Sequence, residues 1–236
     1  MSESKPEFDG LSGDYERLLS DPIREGFTGA TPGFFHIRKR DLIRDFFRRQ
    51  QVDTRTLSFL DVGCGKGELL TLLRDDFGQV FGCDPSAGML SAEGLSAMGI
   101  HTRVQHDPQR LPFDDGQFDF VSAVCVYHHF PPGLRPNLTA EVRRVLRPGG
   151  WFALIEHNPY NPVTRLIVAR TPVDANAVLL RPSESRRLLR GAGFRVEAQR
   201  YFLYFPERLY RRFPRLEWTL RRIPLGGQYA VFACAR

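Results

Sequence analysis

The sequence predicts an α/β fold, a mostly parallel sheet with helices packed against it. Three observations carry that expectation. Short apolar runs alternate with helix-length segments from Leu57 onward, a glycine-rich loop joins the first run to the first of those segments, and the run Trp151 to Ile155 follows a Pro148-Gly149-Gly150 stop signal. Strands alternating with helices build parallel sheets, because a parallel neighbour is reached only by a crossover long enough to hold a helix.

In chain order, the polar-aromatic first 50 residues read as helical. Asp14 to Leu19 is a short amphipathic stretch, and Phe34 to Arg49 puts Phe35, Leu42, Ile43, Phe46 and Phe47 on one stripe, with Gly26, Gly29, Pro32 and Gly33 between the two. Residues 1–52 are expected to form a helical lid and 53–236 the main domain. The apolar runs LSFLDVG, QVFGCD, FDFVSAVCVY, WFALIEH, FRVEAQRYFLYF and QYAVFACA are the predicted strands. Helices are expected at Glu68 to Asp75, Pro85 to Met98, Leu138 to Leu146 and Ser183 to Arg190, the last with Glu184 in its first turn and Gly191 and Gly193 beyond its end. A basic insertion at about 206–227 is too long for a plain turn. It sets Leu209, Phe213, Leu216, Leu220 and Ile223 at helical spacing among arginines, and Pro214 interrupts it.

The chain has 236 residues, 42% hydrophobic and 25% charged, enough apolar material for a sizeable core. No apolar run approaches the roughly 18–20 residues that span a bilayer, and no basic-then-apolar leader opens the sequence. Cys64, Cys83, Cys125 and Cys234 are far apart, with no CxxC pair and no histidine at ligand spacing, so neither a metal site nor a disulfide framework is expected and the cytoplasm is the predicted location. The net charge of +6 is uneven: Tyr160 to Arg236 holds 15 arginines against 5 acids, which is +10, and the remainder is −4. A basic third of this kind suits an anionic substrate, an acidic lipid surface or nucleic acid, or is simply a solvated face.

The segment Phe59-Leu60-Asp61-Val62-Gly63-Cys64-Gly65-Lys66-Gly67-Glu68 is a strand running into a glycine loop that opens a helix. Glycines let the backbone approach a ligand closely. Their GxGxG spacing differs from the GxGxxG of dinucleotide sites and argues against NAD. An acid about 20 residues on, at the tip of the second strand, suits a ribose diol, and Asp84 stands there before Pro85. His128 and His129 follow the apolar run FDFVSAVCVY, at the strand ends where open α/β sheets bind ligands, and Glu156 and His157 precede a proline-stiffened loop. All four are candidate catalytic residues.

Asp61-Val62-Gly63-Cys64-Gly65-x-Gly67 resembles the first motif of class I S-adenosylmethionine-dependent methyltransferases. The resemblance continues through Asp84, Asp107 ahead of Leu111-Pro112-Phe113, Phe118-Asp119 and Arg147-Pro148-Gly149-Gly150, covering about residues 55–156 in the family's order. It implies a Rossmann-like sheet of seven strands, six parallel and the C-terminal one antiparallel, with helices on both faces. It also implies a cofactor site: the glycine loop around the methionine part, Asp84 on the ribose, Met89 near the adenine and Asp107 on its amino group. Asp61, Cys64, Pro85, Pro108 and Cys125 lie alongside, and a tyrosine at the position of Tyr15 closes over the cofactor. Glu156-His157-Asn158-Pro159-Tyr160-Asn161-Pro162, with Leu179 to Pro182 and Pro224 to Tyr229, resembles a bacterial subgroup.

The implied activity is methyl transfer from S-adenosylmethionine to a small or lipid-like acceptor, with an anionic or lipid-linked acceptor and peripheral membrane contact as options. An RNA or protein methyltransferase working through the basic C-terminal face is the alternative, against which stands the lack of any nucleic-acid module. A cofactor-binding protein without turnover is the third reading.

Overall fold

Five consecutive buried residues, Ser58–Val62, form β1, and burial on both faces is what the centre of a parallel sheet requires. In the computed structural model, which describes residues 10, 13–19, 22–28, 33–91 and 94–236, six further strands join it. These are β2 (Gln79–Asp84), β3 (Ile100–Val104), β4 (Phe118–Val124), β5 (Leu146–His157), β6 (Phe194–Phe202) and β7 (Gln228–Ala235). The helices are α1 (Tyr15–Leu18), α2 (Pro22–Thr28), α3 (Phe34–Gln50), α4 (Glu68–Leu73), α5 (Ala87–Leu90), α6 (Arg135–Val145), α7 (Pro162–Arg170), α8 (Pro182–Gly191), α9 (Glu207–Arg212) and α10 (Pro214–Leu220).

The sheet order is β3-β2-β1-β4-β5-β7-β6. Pairs from β3 to β5 are parallel and β7 is antiparallel to both β5 and β6, so six strands share one direction and the C-terminal strand opposes them, as expected. The chain leaves β1 toward β2 on one side and returns to β4 on the other. The carboxyl ends of β1 and β4 therefore flank the crevice where such sheets hold ligands.

Alternating residues feed two cores. Leu60, Val62, Val121, Phe152 and Leu154 face α6 and α8, which contribute Leu138, Val142, Val145 and Leu189. Phe59, Phe120, Ala153 and Phe232 face α3 and α4. The Phe46 ring stacks on Phe232 with centroids 4.1 Å apart, and Phe47 meets Phe120 edge-on at 4.9 Å. Hence α3 is a layer of the sandwich over much of its length, while Phe35, His36 and Lys39 at its start face a cavity. Of the predicted stripe, Ile43, Phe46 and Phe47 are buried, whereas Phe35 and Leu42 are half-buried and Phe34 takes the buried place at the helix start.

Three elements depart from expectation. The helix expected over Pro85 to Met98 is only α5, capped by Ser86 Oγ accepting from the Met89 N–H at 3.2 Å, with a 3₁₀ turn at Ser96–Met98. Gly88 has low helix propensity and Gly94 sits at φ 94°, outside helical geometry. The edge strand β3 escaped the reading of apolar runs because its outer positions are exposed in alternation. In β5, Pro148-Gly149-Gly150 lies within the strand as an irregularity: pairing steps two residues along β4, from Phe118 to Phe120, while it steps five along β5, from Leu146 to Trp151. Pro214 does divide the basic insertion, into α9 and α10. No helix among the described residues is long and apolar enough to cross a membrane.

Candidate functional site

At the end of β1 the backbone N–H groups of Gly63 and Cys64 both donate to the Cys83 carbonyl, at 2.8 and 3.0 Å, which ties the glycine loop to β2. Gly63 has φ 68°, and a Cβ there would lie 2.5 Å from Val126 Cγ2 at the end of β4, so only glycine lets these two strand ends approach. The Gly65 N–H donates to Asp84 Oδ2 and the Ser86 N–H to Asp84 Oδ1, each at 2.9 Å. Asp84 thereby fixes the loop.

A cavity of about 460 Å³ opens here. Asp61, Gly63, Cys64, Gly65, Asp84, Pro85, Met89, Pro108 and Cys125 line it, as do His128, His129 and His157. Gly67 stands behind the wall as the left-handed N-cap of α4, packed toward Leu95. Asp107 is exposed and lies outside the lining, its Oδ1 accepting from the Gln109 N–H at 2.8 Å. The buried side chain in that place is Gln105, whose Nε2 donates to the Asp107 carbonyl at 3.1 Å. Tyr15 opens α1, and its side chain lies outside the described residues. Lys39, buried and lining the cavity, was not foreseen from sequence.

A polar cluster also faces the cavity. His128 Nδ1 is 2.6 Å from Glu156 Oε2, and Glu156 Oε1 accepts from the N–H groups of Val126 (3.1 Å) and Tyr127 (2.7 Å). Glu156 is fully buried and does not line the cavity. Asp174 Oδ1 lies 3.3 Å from His128 Nε2 and 3.7 Å from His129 Nε2, and the His157 ring is 5.1 Å from that of His128. Burial works against charge on His128, but the Glu156 and Asp174 carboxylates overcome it and raise its pKa, while His128 in turn holds Glu156 low despite its burial. Burial, aided by charge on His128, lowers His157 to about 4, so it is neutral at physiological pH. Asp174 belongs to a 3₁₀ turn after α7, and nothing local in the sequence marks it as a site residue.

The loop after β5 is tied to a distant segment. Asn158 Nδ2 donates to the carbonyls of Pro224 (3.1 Å) and Gly226 (2.7 Å), Asn161 Nδ2 donates to that of Leu225 (2.7 Å), and Asn161 Oδ1 caps α7 through the Thr164 N–H (2.9 Å). The two sequence segments singled out separately thus interlock. Two non-glycine residues at positive φ, Cys125 (58°) and Leu203 (61°), also border the cavity.

Burial pushes the Asp61 carboxyl up to about 7, against the 2.5 Å bond from Ser122 Oγ and the nearby Lys39 ammonium. A carboxyl whose folded pKa is raised stabilises the fold most below its unfolded pKa of about 4, and that contribution is lost as pH rises through about 7. Chemical denaturation should show the wild type losing unfolding free energy relative to Asp61→Asn across this interval. A constant difference would place an ionised carboxylate there.

Residues 60–154 match a family described as a methyltransferase domain. The 2-phytyl-1,4-naphtoquinone methyltransferase of Synechococcus elongatus is 35% identical over 115 residues, covering 45% of this chain and 48% of that protein. The phthiotriol/phenolphthiotriol dimycocerosates methyltransferase of Mycobacterium tuberculosis is 33% identical over 150 residues, covering 61% of this chain and 53% of that protein. The chain thus spans about half the length of these relatives. Among solved structures, magnesium protoporphyrin IX methyltransferase from Synechocystis with bound S-adenosylhomocysteine superposes with a TM-score of 0.66 at 16% identity, over 97% of this chain and 96% of that one. The stretch from Leu60 to Leu154 thus matches the methyltransferase-domain family, and the chain as a whole shares the fold of that solved structure.

Proposed function

We propose that the chain transfers a methyl group from S-adenosylmethionine to a small or lipid-like acceptor. The observation that carries this reading is a single cavity lined both by the glycine loop, Asp61 and Asp84 and by the cluster of His128, His129, His157 and Asp174. Apolar Phe35, Val163, Ile167, Val173 and Leu203 line it as well. The residues present fit the cofactor: Gly65, at φ 54°, has nothing within 4 Å of where a Cβ would stand, leaving room for a ligand at the loop. Asp84 offers acceptors to a ribose diol, and buried Asp61 offers a counter-charge to an α-ammonium group. Met89 and Gln105 supply an apolar and an amide contact for an adenine.

When bound, the cofactor supplies a methyl group already activated by its sulfonium. The protein's task is then alignment of the acceptor with the carbon–sulfur bond, a positioning effect worth roughly 7–11 kcal/mol when geometry is right. We assign that task to His157 and Asp174. His129, whose side chain is 20% exposed and reaches the cavity, takes the acceptor's proton where one must leave. Glu156 acts through His128, whose ring it fixes, and is a positioning residue. Leu19, Arg24, Phe35, His36 and Lys39 complete one wall, and these described parts of the N-terminal region serve as the lid.

The named relatives act, by their names, on 2-phytyl-1,4-naphtoquinone and on phthiotriol/phenolphthiotriol dimycocerosates, which supports a lipid-like acceptor. Exposed Tyr160, Val163, Leu166 and Leu225 surround the interlocked loops near the cavity, and with the arginines of the last third they suit transient contact with an anionic bilayer. The four unpaired cysteines fit a reducing, cytoplasmic setting. The segment from Glu156 to Pro162 is the feature by which a subgroup of related chains would be recognised.

Titration with S-adenosylhomocysteine, using NAD as control, tests the reading: calorimetry should give micromolar binding of the former alone. A folded, ligand-free protein that ignores S-adenosylhomocysteine would overturn it.

A further inference from the structure

Three donor atoms converge at the cavity from segments far apart in sequence. His128, His157 and Asp174 each offer one atom, and these atoms lie within 4.8 Å of one another. His128 is 1% exposed and its Nε2 makes no hydrogen bond among the described residues, the nearest carboxylate oxygen being Asp174 Oδ1 at 3.3 Å. Its other ring nitrogen is held 2.6 Å from Glu156 Oε2. A histidine anchored by a carboxylate at Nδ1 presents Nε2 in a fixed direction, the arrangement that supports histidine ligands of metals.

We propose that His128, His157 and Asp174 bind a first-row divalent cation. Two imidazoles and one carboxylate form a mixed nitrogen and oxygen donor set that suits zinc, cobalt, manganese or iron and leaves coordination positions open. All three residues line the cavity, so the open positions face the space assigned to the acceptor and the ion has a path in. Metal–donor distances of about 2.0–2.2 Å require the three atoms to draw together by roughly an ångström or less, within reach of side-chain adjustment. The carboxylates of Glu156 and Asp174 that flank His128 supply two negative charges to a divalent ion. Sequence spacing hides this set, because each ligand comes from a different loop: one follows β4, one ends β5 and one follows α7.

An ion so placed would hold an acceptor through an oxygen and ease loss of its proton. That use rests on the methyl-transfer reading; binding of the ion does not. Untagged protein stripped with a chelator is titrated with Zn²⁺ by calorimetry and with Co²⁺ by visible absorption. The expected result is one bound equivalent, a ligand-field spectrum with Co²⁺, and a raised thermal midpoint with either metal.

Asp174→Asn and His157→Gln should each weaken the metal affinity by more than about 10-fold. Circular dichroism and the S-adenosylhomocysteine affinity serve as checks that the variants are folded. Binding that neither substitution alters places the ion elsewhere and overturns the proposal, as does absence of binding to the folded wild type. If Co²⁺ binds through these residues while S-adenosylhomocysteine does not bind, the cation site stands and the methyl-transfer reading fails.

Discussion

Asp84→Ala is expected to lower the affinity for S-adenosylhomocysteine by about 10²–10⁴-fold while the protein still unfolds cooperatively. Two hydrogen bonds from ribose hydroxyls to an ionised carboxylate are worth about 1.5–3 kcal/mol each, and about 1.4 kcal/mol is a factor of ten. The loss has a second source, since Asp84 also receives the Gly65 and Ser86 N–H groups and so shapes the loop. Asp84→Asn, which keeps one acceptor oxygen, should fall between alanine and wild type. Calorimetry alongside urea denaturation separates binding from folding, and an unchanged affinity would remove Asp84 from the ribose.

His129→Ala should act on the other half of the reaction. General base contributions run to about 10²–10⁴-fold, so single-turnover methyl transfer should fall by that order with S-adenosylhomocysteine affinity unchanged. The prediction depends on geometry: His128 is enclosed by Glu156 and Asp174, whereas His129 lies at the end of a 3₁₀ turn with its ring partly open to the cavity. Equal turnover by variant and wild type, on an acceptor that must lose a proton, would exclude His129 as the base. A parallel loss of cofactor affinity would instead mark it as a support of the loop.

The half of the site built from contiguous residues was legible in the sequence. Gly63, Gly65 and Asp84 announce themselves because one short stretch must turn sharply, approach a ligand and end beside an acid, and each demand selects a residue type. The acceptor half was only partly legible. His128, His129, Glu156 and His157 follow predicted strands and could be placed at the sheet's carboxyl end, but which of them is enclosed depends on packing between segments about 30 residues apart. Asp174, Gln105 and Lys39 carry no local signature, since their importance comes from what the fold sets opposite them. Asp107 shows the converse: the motif places it correctly along the chain, yet its side chain turns to solvent to cap its own turn. The same division holds for the fold. Fully buried strands were read directly, whereas edge strand β3, half exposed, blended with the polar segments around it.

The position of β7 has a bearing on how the molecule is made. It follows every other strand in the chain yet lies between β5 and β6 in the sheet. A ribosome delivers β5, then β6, and only after α9 and α10 the strand that joins them. Until then β5 shows an open edge and β6 has no sheet neighbour, a state in which exposed strand edges invite pairing with other chains. Growth of the sheet from β1 to β5 can proceed as the chain emerges. Its completion waits for the segment 228–235, so the step that seals Phe46 against Phe232 is also the step that ends the nascent chain's exposure to aggregation.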